Sequence, residues 1–187
     1  MSVDFYLAEL SEKNYLQGGD PMFTPDYYRR MMRLGNPQIA ENERQKIWDR
    51  YSGPVIDAFL KNVMKHVDMT DECFLTIHPP SNITYFIEPI REAIQRTFPN
   101  TIDISNCFLK DQEYDDHKSD SPSELSEFVL QNEDQIQEID KNKKIFIYDD
   151  VYGSGQTMEV LNFLLDKYNF SNSRYSGVIL KSKGSDN

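Results

Sequence analysis

Past residue 67 the chain alternates short apolar runs with stretches of helical period, and that alternation restricts it to few architectures. CFLTIH, at 73–78, is stopped by Pro79 and Pro80 and reads as a buried strand. The loop PPSNIT leads to a helix over 88–97, marked by Ile90, Ala93, Ile94 and Phe98, and IDISNCFLK reads as the next strand. Ile145 to Tyr148 is a third strand, and Thr157 to Tyr168 a helix with Met158, Leu161, Leu165 and Tyr168 on one face. YSGVILK is the last strand. Strand, loop, helix, strand is the repeating unit of a parallel sheet with helices packed against it. The expected class is therefore α/β, with an open, mostly parallel sheet flanked by helices, over 68–187.

The first third, 1–67, reads as a helical region. Thr24 and Pro25 start a short helix that ends at GNP, a second covers Ile39 to Tyr51, and Ser52 and Pro54 open a third. In that third helix Val55, Ile56, Phe59, Leu60, Val63, Met64 and Val67 recur with helical period. Between the second and third expected strands, DQEYDDHKSDSPS has the composition of a loop. Ser121, Pro122 and Glu124 then make a capping-box start for one helix carrying Leu125, Phe128, Val129, Ile136 and Ile139 inward. There is no internal repeat and no low-complexity linker.

Composition narrows the function classes. A chain of 187 residues, 39% hydrophobic and 27% charged, holds one domain with a sizeable core and is short for two. No apolar run approaches the roughly 20 residues of a membrane helix, and MSVDFYLAEL has neither a basic leader nor an apolar signal core. These features lead to the expectation of a soluble, cytoplasmic protein with no membrane partner. Cys73 and Cys107 stand singly, without a second cysteine or histidine at metal-ligand spacing, and the three histidines are scattered. Net charge is -11, and residues 111–140 carry eleven acidic side chains against one cation, Lys118. Such a surface repels phosphate backbones, which argues against general nucleic-acid binding. Arg29, Arg30 and Arg33 form the one basic concentration and read as a solvated helix face.

The stretch KKIFIYDDVYGSGQT, 143–157, carries the chemistry. Asp149 and Asp150 come at the carboxyl end of a strand, where open parallel sheets bind ligands. The small residues after them enter a helix, so backbone N–H groups and the helix dipole form a pocket for an anion. Gly153 and Gly155 permit close approach, and Ser154 and Thr157 add hydroxyls. A Walker-B strand also ends in acids, yet the chain has no GxxxxGK[ST] loop. A dinucleotide fingerprint needs a third glycine and an acidic partner about 20 residues on, and both are missing. An ordinary strand-to-helix turn with solvated aspartates stays open, although two carboxylates side by side repel and are seldom placed so without a ligand or cation.

IFIYDDVYGSGQT resembles the phosphoribosyl-pyrophosphate signature of the type I phosphoribosyltransferases: four apolar residues, two acids, two mostly apolar residues, then a small loop rich in hydroxyls and glycine. The likeness covers thirteen residues without a gap, and the order of elements over 68–181 agrees with it. The resemblance implies that Asp149 and Asp150 hold the ribose hydroxyls and, through water, Mg²⁺. It implies that Val151 and Tyr152 lead into Gly153, Ser154, Gly155, Gln156 and Thr157, which cradle the 5-phosphate. The matching pyrophosphate loop is HPPSNIT, where Pro80, Ser81 and Asn82 would bind. That loop has no lysine or arginine, and a plain strand-to-helix connection remains open there. Arg91 lies one or two helical turns further on. The family's mobile catalytic loop falls after CFLK, with Lys110 and Lys118 as its cations. The activity implied is Mg²⁺-dependent transfer of a phosphoribosyl group to an unidentified acceptor, a base or another nucleophile, with release of pyrophosphate. The alternative is a regulatory domain that binds phosphoribosyl pyrophosphate or a nucleotide without turnover. Any hood over the acceptor must come from the first third, and a homodimer is left open.

Overall fold

The structure, a computed structural model, describes residues 5–10, 16–17, 38–69, 73–80, 87–111, 121–152 and 154–182. Eight strands lie among these residues: β1 (Phe5–Leu10), β2 (Leu16–Gln17), β3 (Leu75–Ile77), β4 (Ile102–Asp103), β5 (Phe108–Lys110), β6 (Val129–Gln131), β7 (Ile145–Tyr152) and β8 (Arg174–Ser182). Six form one sheet in the order β2-β1-β8-β7-β3-β4, while β5 and β6 pair antiparallel as a separate two-stranded sheet. Within the large sheet β1, β8, β7, β3 and β4 run parallel, and β2 is antiparallel to β1.

Helix α1 (Glu41–Ile47) runs through a π-helical turn, Trp48–Ser52, into α2 (Gly53–His66); α3 (Ile87–Thr97), α4 (Pro122–Leu125), α5 (Glu133–Glu138) and α6 (Gln156–Lys167) follow. Strand side chains alternate between the two faces of a sheet, and β7 shows what each face meets. Phe146 and Tyr148 pack with Val55, Phe59 and Val63 of α2 and with Ile90 and Ile94 of α3. Ile145 and Ile147 pack with Leu161, Leu164 and Leu165 of α6, with Leu125 of α4 and with Ile136 of α5. A sheet covered on both faces has no use for polar alternation, which explains the unbroken apolar runs. The architecture is α/β, a parallel sheet flanked by helices and Rossmann-like in its layers. No helix among the described residues is long and apolar enough to cross a membrane.

Three expectations need correction. The amino-terminal region read as wholly helical, yet Phe5–Leu10 forms β1 and adds to the sheet beside β8 in parallel register, Phe5 to Gly177 and Leu10 to Ser182. β8 is nine residues long, and its outer edge would expose a row of backbone groups without that neighbour. The helix expected from Thr24 lies outside the described residues, whereas the two expected later appear as α1 and α2. IDISNCFLK is not one strand: Asp103 Oδ1 accepts a hydrogen bond from the Ser105 N–H at 2.8 Å, and a 3₁₀ turn over Ser105–Cys107 redirects the chain from β4 to β5. The single helix expected after Ser121 is also divided. Its capping box is present, with the Glu124 N–H donating to Ser121 Oγ at 3.4 Å. After Leu125, however, the chain passes through a 3₁₀ turn into β6, and Asn132 caps a new helix, α5, by accepting from the Gln135 N–H at 3.3 Å.

Candidate functional site

The sheet divides between β3 and β7. From β3 the chain crosses through α3 to β4 on one side, and from β7 it crosses through α6 to β8 on the other. β3 and β7 are parallel neighbours, with Leu75, Thr76 and Ile77 opposite Ile145, Phe146 and Ile147, so their carboxyl ends share one edge. Because α3 packs on the Tyr148 face and α6 on the Ile147 face, the two connections part over adjacent strand ends. Such a switch point leaves a crevice, and open parallel sheets bind ligands there.

Asp149 and Asp150 lie along this edge, but they do not stand beyond a strand end as the sequence suggested. β7 continues to Tyr152, still paired with β8 through Asp149 and Val178, Val151 and Leu180, and Tyr152 and Lys181. Its pairing with β3 ends at Ile147. The aspartates are thus inside β7 and past the end of β3. Both are nearly buried, with 8% and 6% of their surface exposed. The Asp150 N–H donates to Asp149 Oδ1 at 2.8 Å, which answers part of one charge locally. The register of β7 against β8 is unbroken, so alternation assigns Asp149 to the α6 face and Asp150 to the α2 and α3 face.

On the α6 side, Ser154 is exposed, and Gly155 is buried in the left-handed conformation, φ 83° and ψ -10°. A side chain there would be strained, which accounts for the glycine. Gly155 is the N-cap of α6 and supplies no side-chain cap; the closest substitute is Ser154 Oγ, accepting from the Gln156 N–H at 3.4 Å. The first turn of α6, with Gln156 and Thr157 half-buried, therefore keeps the polarity that attracts an anion. Gly153, Ser81 and Asn82 lie outside the described residues. Lys110 closes β5 opposite Val129, on the two-stranded sheet and not on the β3 to β7 edge.

On the β3 side a chain of polar contacts follows the strand ends. The His78 N–H donates to Ser105 Oγ at 3.2 Å, the Ser105 N–H donates to Asp103, and Asp103 Oδ2 lies 3.5 Å from Arg91 Nε. Arg91 also pairs with Glu88. His78 places Nδ1 3.1 Å from the Pro79 carbonyl oxygen, and its ring meets the Tyr148 ring edge-on, centroids 6.0 Å apart at 67°. Pro79 and Pro80 are buried beside it. Tyr148 is fully buried, and no group meets its hydroxyl in hydrogen-bonding geometry; Thr76 Oγ1 is likewise without a partner. Burial pushes the Tyr148 phenol up, Asp103 adds to that, and Ser105 and Arg91 offset a part.

Four carboxylates, those of Glu88, Asp103, Asp149 and Asp150, thus lie along an edge to which Arg91 brings a positive charge. A ligand that settles here has to present hydroxyls or a cation to the carboxylates and its anionic groups to the turn at α6. No group of three or more His, Cys, Asp or Glu among the described residues converges as a cation cage. The donor set fits a Mg²⁺ of the kind held by one or two carboxylates and completed by water and a ligand's phosphates. His78, Ser105 and Tyr148 gather at this edge without a motif that marks them. For His78 the sequence holds one signal, its place as the first residue after a buried strand. Compared with known proteins, the chain matches no family model and no curated protein.

Proposed function

We propose that the chain is a phosphoribosyltransferase of the type I kind, binding phosphoribosyl pyrophosphate with Mg²⁺ and passing the phosphoribosyl group to a nucleophile as pyrophosphate leaves. One observation carries the reading: an acid pair and a glycine turn at a helix N-terminus stand on one edge, at the switch point between β3 and β7. Phosphoribosyl pyrophosphate has a diol and a phosphate on one ring, which meets both features. The transfer runs through a ribosyl centre with oxocarbenium character, so the protein's part is to position and shield more than to form bonds. Asp149 orients the ribose hydroxyls beside the Ser154 to Thr157 turn, which anchors the 5-phosphate, and Asp150, on the other face of β7, serves the side of Mg²⁺ and pyrophosphate. Pro79 and Pro80 wall the side from which pyrophosphate departs. Mg²⁺, when bound, supplies the neutralisation of the leaving group.

A second reading, a binding domain without turnover, is favoured by the commitment of Arg91 to Glu88 and Asp103. It leaves the pyrophosphate side with little cationic help from the described residues. Calorimetry with phosphoribosyl pyrophosphate and Mg²⁺, followed by an acceptor screen over purines, pyrimidines and common amines, separates the two readings. The enzyme releases pyrophosphate with at least one acceptor and stops when a chelator is added. The binder shows Mg²⁺-dependent affinity and no release above the Asp150→Asn background. Absence of any binding heat removes both.

A further inference from the structure

We propose that Glu88 and Asp103 set the metal requirement of the site: they occupy Arg91 as an anion would, so that pyrophosphate binds well only as its Mg²⁺ complex. The proposal rests on the phosphoribosyl-transfer reading and names the residues that decide which form of the diphosphate group is received.

These side chains stand on the Asp150 side of the sheet. Asp103 is the last residue of β4, paired beside Thr76 of β3. Glu88 and Arg91 lie in the first half of α3, the helix that follows the loop after β3. Ile87 and Ile90, from the same turns of α3, pack in one cluster with Tyr148, and alternation along β7 puts Asp150 on the Tyr148 face. All three charged groups act on the Tyr148 phenol, which burial holds above its usual range; Asp103 and Glu88 add to the rise and Arg91 offsets part of it.

Arg91 pairs with Glu88, and its Nε lies 3.5 Å from Asp103 Oδ2. One cation is thus shared by two carboxylates, and the set as a whole is negative. A pyrophosphate that reaches for Arg91 has to displace carboxylates from it and settle beside them, a like-charge contact. The Mg²⁺ complex escapes that cost because it carries its own cation. Both acids can let Arg91 go without being stranded. The Glu88 side chain is 43% exposed and turns to water, while Asp103, 14% exposed, keeps the Ser105 N–H on Oδ1 at 2.8 Å. The guanidinium suits a phosphate in return, since its planar donors meet two oxygens at once.

The test uses the full chain and inorganic pyrophosphate, titrated calorimetrically with and without Mg²⁺. Glu88→Gln and Asp103→Asn keep the shape of each side chain and remove its charge, and the asparagine oxygen still accepts from the Ser105 N–H. Glu138→Gln, at an exposed acid of α5 on the opposite face of the sheet, reports the effect of one lost charge alone. Glu88→Gln and Asp103→Asn are each expected to bind metal-free pyrophosphate about tenfold more tightly than the parent or Glu138→Gln, and the Mg²⁺ complex within about threefold of the parent. Adding Arg91→Gln to either variant removes the gain, and ribose 5-phosphate binds alike throughout. The proposal is overturned if metal-free pyrophosphate binds these two variants no better than Glu138→Gln, or if the gain survives the loss of Arg91. In either case a parent that still binds phosphoribosyl pyrophosphate with Mg²⁺ leaves the transfer reading standing. A parent with no affinity for that ligand and metal together removes the reading, and this inference with it.

Discussion

Asp149 and Asp150 are one step apart along a strand, and that step sends them to opposite faces of the sheet. Asp149 shares its face with α6 and its glycine turn, whereas Asp150 shares its face with α3, Arg91 and His78. They are not interchangeable, and the two halves of the ligand can report on them separately. Asp149→Asn is expected to weaken ribose 5-phosphate about tenfold, roughly 1.4 kcal/mol, and Mg²⁺–pyrophosphate less. Asp150→Asn should show the reverse order in the same calorimetric titrations, and equal losses for both probes in both variants would remove the division of labour. Tyr148 allows a second test, because its buried hydroxyl has no hydrogen-bond partner. An unsatisfied buried hydroxyl costs stability, so Tyr148→Phe is expected to raise the unfolding free energy by about 1 kcal/mol at neutral pH. The sign at alkaline pH follows from the raised phenol pKa. The native state holds that proton more tightly than the unfolded chain, whose phenol titrates near 10, so its contribution is intact below pH 10 and is lost as pH rises beyond it. Denaturant midpoints at pH 9 and pH 11 should therefore fall further for the parent than for Tyr148→Phe. A Tyr148→Phe protein less stable than the parent at neutral pH would mean that the hydroxyl has a partner.

The turn that opens α6 depends on one backbone conformation. Gly155 at φ 83° lies where a Cβ meets its own backbone, and Gly155→Ala should cost about 1–2 kcal/mol in a denaturant titration. It should also weaken ribose 5-phosphate, because the first turn of α6 can no longer meet the phosphate in the same way. A variant of unchanged stability would show that the turn relaxes freely. This element was legible in the sequence, glycine, hydroxyls and helix start together, as were β3, β7, β8, α2 and α3, because a strand buried on both faces or a helix with a full apolar stripe leaves a pattern that local chemistry cannot hide. The region between β4 and β7 was not legible in the same way. Leu125, Phe128, Val129, Ile136 and Ile139 have a spacing that one long helix could use, yet they serve two short helices, a 3₁₀ turn and a strand. Asn132 followed by two acids was the local sign of a fresh N-terminus inside that stretch. β1 escaped for another reason. Its place is set by the open edge of β8, about 170 residues later in the chain, and no local window contains that fact. At the site, the acid pair and turn could be read from spacing, while His78, Ser105 and Asp103 come together only when β3 and β4 pair.

The assembled sheet adds a constraint that no single element carries. β3 and β7 bring their ends together from positions some 70 residues apart, and the connections leaving them cover opposite faces. A ligand seated in the crevice therefore touches both halves of the sheet, one through the turn at α6 and the other through the residues after β3. If it binds the native state alone, it stabilises the whole fold by mass action, about 2.7 kcal/mol at a hundred times its dissociation constant. Fragments of the ligand reach one half each. On the proposed reading, ribose 5-phosphate would engage Asp149 and the turn and Mg²⁺–pyrophosphate the Asp150 side, and each would give up the advantage of a ring that links them. Phosphoribosyl pyrophosphate with Mg²⁺ is expected to bind more tightly than either fragment by at least a hundredfold, since joining two fragments makes the second contact intramolecular. Thermal unfolding at equal concentrations should rank the three ligands in the same order, with the intact ligand raising Tm most. The chain's net charge of -11 sharpens the outcome. A bare polyanion approaches an acidic protein against its field, so withdrawal of Mg²⁺ should abolish the shift from pyrophosphate and sharply reduce that from the intact ligand, while ribose 5-phosphate changes little. If pyrophosphate without metal matches the intact ligand, the crevice is an anion site of another kind and the sugar has no place in it.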